Sequence, residues 1–484
     1  MPREIVKLLE AYPTVRPEEV NLDEIDYDVE VLIIGGGGGG TVAALWAVEQ
    51  GIPPEKVLIV TKLRHGDANS LMAQGGTQAA TAEEDSPVQH YLDTMGGGHF
   101  ENKPELVKAL TEEAPMIIEW HRELGVMYDR DENGNMMVFP GGGSSRKRLH
   151  CAEDYTGMEQ MRVIRDQVRN LGIPVLEFTP AIELLTTPEG AVGGALLWNL
   201  DTHQYYVVWA KTTILSTGGF GRLHIQGFPT TNHYGATADG LVMAYRAGAK
   251  LRDMDSVQYH PTGAAYPQQI LGLLITEKIR GLGGQPVNKE GEVFVFPLEP
   301  RDVEAARLIK ECEDGKGMET PYGVQGIWLD TPLIDAIHGE GAFARAFPSI
   351  ARLYKRHDID PTEFPILVYP TLHYQNGGIE INGNTESSTQ GLLAAGEVSG
   401  GVHGKNRLMG NSTLDYNVFG RRAGIQAAER AQESIEVGEL TLDHARRYTA
   451  DLEQAGIDKS KKSPLILPEY RGKRTLNRLL DFPL

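Results

Sequence analysis

The chain has 484 residues, of which 41% are hydrophobic and 23% charged, and this composition is typical of a globular protein with two or three domains. Its 66 acidic residues outnumber its 46 lysines and arginines, and the formal net charge of −20 excludes nucleic acid as the main partner. The two cysteines, Cys151 and Cys312, form no C-x-x-C pair, so we predict no metal or cluster site and a reducing compartment.

The beginning of the chain carries no targeting or membrane signal that we can identify. Charged residues interrupt every apolar run of MPREIVKLLEAYPTVRPEEV, and no small-residue cleavage site follows it. No apolar segment approaches the ~20 residues that a membrane-spanning helix needs. We therefore expect a cytoplasmic protein, with peripheral contact to the inner face of a membrane made only through another subunit.

The first predicted elements are a strand, VEVLII, and a helix, TVAALWAVEQG, joined by six consecutive glycines. Within that run Gly35, Gly37 and Gly40 satisfy G-x-G-x-x-G, the turn that lets backbone N–H groups at a helix N-terminus approach a pyrophosphate. A flexible glycine loop is the alternative, but the flanking strand and helix favour a dinucleotide site. The next predicted strand, VLIVT, ends at Thr61-Lys62, where a nicotinamide-binding fold usually has an acidic residue. This difference argues against NAD and leaves a flavin dinucleotide.

The middle of the chain contains further predicted elements and one inserted region. Residues 104–126 have apolar side chains at helical spacing and predict an amphipathic helix that ends at a glycine. From 173 to 215, IPVLEF, AVGGALLWNL, QYYVVWA and TTILSTGG predict strands alternating with turns. Gly218, at the end of the last segment, suits a second backbone approach to the cofactor. Residues 259–366 have more proline and charge, and LLAAGEVSGG (392–401) then returns to a strand-and-glycine pattern, so the cofactor domain is predicted to be discontinuous.

Residues that bind anions and move protons concentrate in and beside the inserted region. They lie in QYHPTG (258–263), LITEKIRG (274–281), LEPRD (298–302), PTLHYQNGG (370–378) and GKNRLMGNS. Guanidinium and imidazole groups bind carboxylates, and a C4 dicarboxylate needs such groups at both ends. A single histidine is more often structural, but two histidines, two arginines and a Thr-Glu pair together favour an anion site.

Several of these motifs occur in an order that resembles a known family. The glycine fingerprint is followed by AQGG (73–76), STGG (216–219), QYHPTG, TEKIRG, PRD, PTLHY and GEVSGGVHGKNRL (396–408). This order resembles the flavoprotein subunits of fumarate reductase and succinate dehydrogenase, a family that includes L-aspartate oxidase, over about residues 28–430.

The resemblance implies an α/β fold with a Rossmann-like, discontinuous FAD-binding domain, an inserted α+β capping domain and a short helical tail. The expected ranges are an N-terminal extension at 1–27, the first part of the FAD-binding domain at 28–258, the capping domain at 259–366, the second part of the FAD-binding domain at 367–432, and a truncated, basic tail at 433–484.

The resemblance also implies roles for individual residues. Matching positions are His260 and Thr276 for one substrate carboxylate, His373 and Arg407 for the other, Arg301 for proton transfer at the substrate carbon, and Glu277 and Arg280 for the relay that carries protons to it. Glu277 and Arg280 share one face if their segment is helical, the alternative being an exposed ion pair of little value. The implied FAD contacts are Gly35, Gly37, Gly40, Thr61, Lys62, Ser70, Gln74, Gly75, Gly76, Gly218, Asp239, Glu397, Ser412 and Leu414.

Two differences from the family bear on cofactor and substrate. Members that bind FAD covalently use a histidine a few residues before AQGG, and Asn69 occupies that position here, so the resemblance implies noncovalent FAD and favours fumarate reduction. L-aspartate oxidases share Thr61-Lys62 and HCAEDYTG (150–157) but place a glutamate before G-G-H-S, where this chain has Pro140 and, for the histidine, Gly143. Because an unpaired ammonium is costly to desolvate, we expect a substrate without an amine.

The expected activity and partners follow from the same resemblance. L-aspartate oxidase activity remains an alternative, whereas the carboxylate-binding residues disfavour an adenylylsulfate reductase-like chain and the proton relay disfavours a noncatalytic FAD relay. The C-terminal domain is cut to about fifty residues and the chain has no cluster-binding cysteines. We therefore expect electrons to arrive from a partner, an iron–sulfur subunit or a soluble donor.

Overall fold

The structure is a computed structural model that describes residues 20–223, 228–433 and 437–457. Its strands are β1 Tyr27–Ile34, β2 Val57–Val60, β3 Thr77–Gln78, β4 Leu149–His150, β5 Val175–Leu176, β6 Ala181–Thr186, β7 Val192–Trp198, β8 Tyr205–Leu215, β9 Leu251–Arg252, β10 Val257–Ala264, β11 Gln285–Val287, β12 Met318–Glu319, β13 Gln325–Asp330, β14 Ile366–Gln375, β15 Gly378–Glu380, β16 Leu392–Ala394 and β17 Ser399–Gly400. Its helices are α1 Gly38–Glu49, α2 Asn69–Met72, α3 Pro87–Gly97, α4 Pro104–Leu124, α5 Thr156–Asn170, α6 Asp239–Arg246, α7 Lys278–Gly281, α8 Arg301–Glu313, α9 Pro332–His338, α10 Ala342–Ala346, α11 Pro348–Lys355, α12 Asn411–Gln432 and α13 Asp443–Gln454.

The largest sheet has the strand order β5-β2-β1-β8-β7-β6, with β16 also pairing with β8. β1 runs parallel to both β2 and β8, so Leu32 faces Leu58 on one side and Thr213 on the other. Helices cover this sheet, and its central strands are buried and rich in valine, isoleucine and leucine. The predicted α/β fold is thereby confirmed, and the carboxyl ends of β1 and β8 meet at one edge.

β8 departs from the sequence prediction, which divided it into QYYVVWA and TTIL. It is one continuous strand because Lys211, the charged residue between the two halves, forms polar contacts from its position in the strand. Lys211 pairs with Glu30 of β1 at 2.7 Å and donates to the carbonyl oxygen of Ala431 at 2.9 Å. The prediction also missed β6, Ala181–Thr186, which pairs antiparallel with β7.

The second sheet has the order β10-β14-β13-β11 and is antiparallel, with β12 pairing with β13. Its core is a separate hydrophobic cluster whose members run from Ala264 to Val368. The expected domain limits at 258/259 and 366/367 fall inside β10 and β14, because both strands continue from one domain into the other. The inserted region is therefore attached to the first domain by a pair of hydrogen-bonded strands.

The two ends of the described chain pack against the same side of the main sheet. Leu440 and Leu442 join Leu185, Leu196 and Val207 in a third cluster, against which Val20 and Leu22 also pack. The described part of the expected tail is thus anchored, and it includes the helix α13. Most of the expected extension, at 1–27, and the basic residues of the tail beyond 457 lie outside the described residues.

Within the described ranges, no helix is both long and apolar enough to cross a membrane. The same residues include no group of three or more histidine, cysteine, aspartate or glutamate side chains arranged to hold a metal ion.

Candidate active site

A long cavity extends from the glycine turn at the end of β1 to the arginines of the second domain. It contains about 1600 Å³ free of protein atoms, open solvent at its mouth included. Among the sequence-predicted site residues, the lining includes Gly35, Gly37, Thr61, Lys62, Ser70, Gln74, Gly75, Gly76, Gly218, Asp239, His260, Thr276, Glu277, Arg301, His373, Glu397, Arg407 and Ser412. Nearly all the predicted positions therefore share one continuous space. Gly40, Arg280 and Leu414 do not line it.

The glycine turn is shaped by close backbone contacts. Gly35 has φ +121°, and a Cβ there would lie 2.1 Å from the carbonyl oxygen of Ser216 at the end of β8. A Cβ at Gly40 would lie 2.0 Å from the carbonyl oxygen of Gly35, so this residue lets α1 begin against the strand although it lies outside the cavity. The N-terminus of α1 is thereby presented to the cavity, where its N–H groups and dipole favour an anion.

Side chains around this helix N-terminus complete a polar wall. Ser70 Oγ accepts a hydrogen bond from the Gly38 N–H at 3.0 Å. Lys62 Nζ, just after β2, lies 2.5 Å from Asp239 Oδ2 and 2.6 Å from Thr237 Oγ1. Gln74 Oε1 is buried and finds no hydrogen-bond partner among the described residues. Leu414, by contrast, is fully buried in the core of the first domain.

Asn69 lies in the middle of the cavity wall, held on three sides. Its amide nitrogen donates to Asn232 Oδ1 at 2.7 Å and to Glu397 Oε2 at 3.1 Å. Its amide oxygen accepts from the His233 N–H at 2.7 Å. This side chain therefore acts as a hydrogen-bonding bridge between segments that are distant in the sequence.

At the other end of the cavity, Glu277 is the centre of a buried charge cluster. Arg301 Nε, on the first turn of α8, donates to Glu277 Oε2 at 2.8 Å, and Arg280 Nη2 lies 3.3 Å from the same oxygen. The Gly142 N–H donates to Glu277 Oε1 at 2.7 Å. Both carboxylate oxygens are thus satisfied. The side chains of Glu277 and Arg280 are 0% exposed, so the alternative of a surface ion pair is wrong.

Gln258 connects the two arginines that line the cavity, a role that the sequence analysis missed. Its Oε1 accepts from Arg301 Nη1 at 3.1 Å and from Arg407 Nη2 at 3.0 Å. Its Nε2 donates to Asn406 Oδ1 at 2.8 Å and to the Arg407 carbonyl oxygen at 2.7 Å, which fixes the orientation of the amide. Two guanidiniums are thereby held side by side by a neutral acceptor.

The electrostatics of this cluster favour an incoming anion. Burial lowers the pKa of Arg407 to about 9, and the neighbouring Arg301 guanidinium acts in the same direction. Burial also lowers the pKa of Arg301, although Glu277 opposes the change. Burial resists ionisation of Glu277, but Arg301 and Arg280 outweigh it and lower the pKa of its carboxyl. Positive charge therefore exceeds negative charge at the cavity wall, and a bound carboxylate would relieve the imbalance.

His260 and His373 are neutral hydrogen-bonding groups. Burial, followed by the repulsion of Arg301, holds the pKa of both imidazoles well below the usual range. His260 Nδ1 lies 3.1 Å from the Thr262 backbone nitrogen and 3.2 Å from the Thr262 carbonyl oxygen, which holds the ring in place. His373 Nδ1 lies 2.7 Å from Thr231 Oγ1, and the two rings meet edge to face with centroids 4.9 Å apart.

Comparison of the chain with known proteins identifies its family. The family model described as the FAD binding domain matches residues 30–413. A subunit of the fumarate reductase (CoM/CoB) of Methanothermobacter marburgensis is 37% identical over 418 residues, which are 84% of this chain and 74% of that protein. The chain belongs to the fumarate reductase and succinate dehydrogenase flavoprotein family.

Further members of this family are similar over comparable lengths. L-aspartate oxidase of Streptomyces coelicolor is 32% identical over 467 residues, covering 93% of this chain and 75% of that protein. The solved structure of Escherichia coli quinol fumarate reductase superposes with a TM-score of 0.79 at 31% identity, over 89% of this chain and 74% of that one. The chain is therefore an FAD-dependent oxidoreductase, as its motif order implied.

The residues that line the cavity fit FAD, independently of the similarity to known proteins. The glycine turn leaves room that side chains would fill, and the N-terminus of α1 suits a pyrophosphate. Two buried oxygens of the lining, Gln74 Oε1 and Thr217 Oγ1, have no partner among the described residues and can meet a polar ligand. The remaining space reaches the arginines, so the flavoprotein can hold a cofactor and a small substrate together.

Gly40→Ala is the sharpest test of the glycine turn. The new methyl group meets the Gly35 carbonyl oxygen, which cannot move without shifting β1, so we expect destabilisation of about 1–3 kcal/mol and a lower FAD content. The flavin-to-protein absorbance ratio and thermal unfolding of the purified protein measure both effects. Gly96→Ala is the matched control, because a Cβ there meets nothing within 4 Å. Full FAD occupancy in Gly40→Ala would contradict this account of the turn.

Two further residues were missed because their partners are distant in the sequence. The Tyr374 ring lies under the Arg407 guanidinium at 4.4 Å, and its hydroxyl donates to Asp415 Oδ2 at 3.1 Å. Glu304 pairs with Arg280. Tyr374 stands within the quoted PTLHY motif, so the motif itself could have indicated it, whereas no sequence signal distinguishes Glu304 from other glutamates of a helix.

Proposed function

We propose that this flavoprotein reduces fumarate to succinate, as the catalytic subunit of an electron-transfer complex. The observation that carries the proposal is the pair of guanidiniums, Arg301 and Arg407, joined at the cavity wall by Gln258 Oε1. Such a pair suits a small dianion. Arg301 donates to Glu277, so Arg301 is proposed to exchange a proton and Arg407 to bind the substrate. Relatives named as fumarate reductase flavoprotein subunits support the same conclusion.

Four residues, here called the clamp, are proposed to bind and orient the substrate: Arg407, His373, His260 and Thr276. Arg407 and His373 are proposed to hold one carboxylate, and the neutral imidazole of His260 and the hydroxyl of Thr276 the other. Holding both ends fixes the alkene in the cavity, and such orientation can contribute several kcal/mol to the lowering of the barrier. Arg301, Arg407 and His260 are buried in this wall, and a site of low dielectric strengthens each charged contact.

Proton transfer is the task of Arg301. Bound FAD supplies hydride chemistry at its flavin N5. Negative charge then develops on the second alkene carbon and its carboxylate, where the fixed cations stabilise it. Arg301 is proposed to protonate that carbon, because a carbanion-like acceptor is basic enough to take a proton from a guanidinium whose pKa burial has lowered. Glu277, which is ionised at rest, then passes on to Arg301 a proton that it receives from Arg280.

The lining of the cavity favours a substrate without an amine. Every carboxylate of the described lining near the clamp already has a partner: Glu277 has two arginines and the Gly142 N–H, and Glu397 accepts from Asn69 and the Gln375 N–H. An ammonium placed there would lack a counter-charge. The loop 139–145 has Pro140 where L-aspartate oxidases place a glutamate, and it contributes the Gly142 N–H to Glu277.

FAD is proposed to bind without a covalent link, because the Asn69 amide is not a nucleophile and is already hydrogen-bonded on three sides. Acid precipitation of the holoenzyme should leave yellow FAD in the supernatant, as absorbance at the flavin band will report. Flavin retained in the pellet would contradict this prediction. In that event His233→Ala becomes the informative variant, since His233 also lines the cavity beside Asn69.

The electron donor is proposed to be an iron–sulfur subunit. The chain has two cysteines, both buried and unpaired, and so provides no cluster of its own. The Methanothermobacter relative is named as one subunit of a fumarate reductase, and several more relatives are named flavoprotein subunits. Any contact with a membrane is proposed to be made through such partners.

One assay tests the function. The purified holoenzyme, reduced by a viologen dye, is given fumarate, and separately L-aspartate with oxygen. Fumarate-dependent oxidation of the dye supports the proposal. Peroxide formed from aspartate would instead identify an L-aspartate oxidase, and no turnover of either substrate with a full complement of FAD would indicate a noncatalytic FAD relay.

A further inference from the structure

Glu304 is a buried carboxyl group that the mechanism above does not use. It lies on α8 one turn after Arg301, and its side chain is 0% exposed. Its Oε2 accepts a hydrogen bond from Arg280 Nη1, while its Oε1 has no partner among the described residues. A buried glutamate with a single partner is unusual unless it carries a proton.

The partner of Glu304 is the arginine that also contacts Glu277. Arg280 Nη2 lies 3.3 Å from Glu277 Oε2, and the same oxygen accepts from Arg301 Nε at 2.8 Å. Arg280 therefore bridges two carboxyl groups. The order from the cavity inward is Arg301, Glu277, Arg280, Glu304. Hydrogen bonds join Arg301 to Glu277 and Arg280 to Glu304, and an ion pair without a hydrogen bond joins Glu277 to Arg280.

Resting on the proposed function, we propose that Glu304 is the member of the proton relay farthest from the cavity and holds the proton that replenishes Arg301. In each turnover Arg301 gives one proton to the substrate carbon. One proton moves from Glu304 to Arg280, from Arg280 to Glu277 and from Glu277 to Arg301, so that each donor except Glu304 regains what it gave. Glu304 is left as a carboxylate and recovers a proton from water. No electrons move in these steps.

The surroundings of Glu304 keep its proton exchangeable at neutral pH. Burial raises the pKa of its carboxyl to about 8, with Arg280 opposing the rise and the negative charge of Glu277 adding to it. Arg301, on the same helix, also opposes it. The two carboxyls of the relay thus differ: two arginines and the Gly142 N–H keep Glu277 ionised, and burial keeps Glu304 protonated. Carboxyls whose pKa values are pushed apart suit opposite roles in proton transfer.

Glu304→Gln tests the proposal, because glutamine keeps an acceptor for Arg280 but has no exchangeable proton. For fumarate reduction, kcat at about pH 7 should fall about 10- to 100-fold with KM unchanged. Wild-type kcat should decline as the pH rises through about 8, since Glu304 then loses its proton, and the variant should lack this decline. Glu311→Gln is the matched control: this glutamate is buried two turns further along α8 and accepts from Asn288 at 2.9 Å.

Infrared difference spectra provide a readout that needs no turnover. The wild-type holoenzyme should lose one carboxylic-acid C=O band as the pH rises through about 8, and Glu304→Gln should lack that band. Should Glu304→Gln fail to fold, Glu304→Asp is expected to keep the band and the alkaline decline. A wild-type kcat and pH profile in Glu304→Gln, or no missing band, would overturn the relay assignment. If the wild type does not reduce fumarate, the proposed function is wrong. The carboxylic-acid C=O band then still shows whether Glu304 holds a proton.

Discussion

Arg301→Ala should abolish fumarate reduction while leaving FAD bound. The substitution removes both the proton donor and one of the two guanidiniums that Gln258 joins, so we expect kcat to fall about 10³- to 10⁴-fold. It also leaves Glu277 with Arg280 as its only charged partner among the described residues, which weakens the arrangement that prepares the next proton. Fumarate-dependent oxidation of a reduced viologen dye measures the loss.

Two controls separate chemistry from folding in this experiment. Arg307→Ala removes an exposed arginine of the same helix, whose Nη2 donates to the Phe294 carbonyl oxygen at 3.2 Å, and should retain full activity. Arg301→Lys keeps a positive charge but not the planar donor that reaches Glu277 and Gln258 together, so it should remain impaired. Activity of Arg301→Ala near that of the wild type would refute the assigned proton donor.

The sequence indicated the residues of the site better than it indicated their connections. The glycine turn, the histidines and the arginines belong to short motifs whose chemistry is readable from residue type and spacing. The contacts that organise them join residues far apart in the sequence: Arg301 and Glu277 are separated by 24 positions, and Gln258 and Arg407 by 149. No local pattern encodes such pairs, so the roles of Gln258 and Glu304 became visible only in the fold.

The errors in the predicted elements have the same origin. The predicted break between QYYVVWA and TTILSTGG falls at Lys211, and a charged residue inside a buried strand is costly when it has no partner. Its pairing with Glu30 and the Ala431 carbonyl oxygen removes that cost, and neither partner is near it in the sequence. The predicted domain limits, placed where composition changes, stay predictions; they fall within β10 and β14, two strands that pair with each other.

Arg407→Ala should show its effect in substrate binding. The guanidinium is 2% exposed, lies over the Tyr374 ring and shares Gln258 Oε1 with Arg301, so it is rigidly placed before a substrate arrives. A dicarboxylate that loses this partner keeps one carboxylate buried and underpaired. We expect the dissociation constant for succinate to rise about 10²- to 10³-fold, which corresponds to about 3–4 kcal/mol. Titration of the oxidised holoenzyme with succinate, followed by calorimetry or the flavin spectrum, measures it.

The comparison of Arg407→Ala with its neighbour Lys405→Ala makes that result specific. Lys405 belongs to the same segment, but its ammonium pairs with Asp253 and Asp255 at the surface, 3.0 and 2.9 Å away, so its removal should leave succinate affinity unchanged. Equal losses in the two variants would indicate a disturbed segment and contradict a direct contact. A loss confined to Arg407→Ala, together with intact FAD content, assigns the carboxylate to this guanidinium, because His260 and Thr276 remain in place to hold the other end.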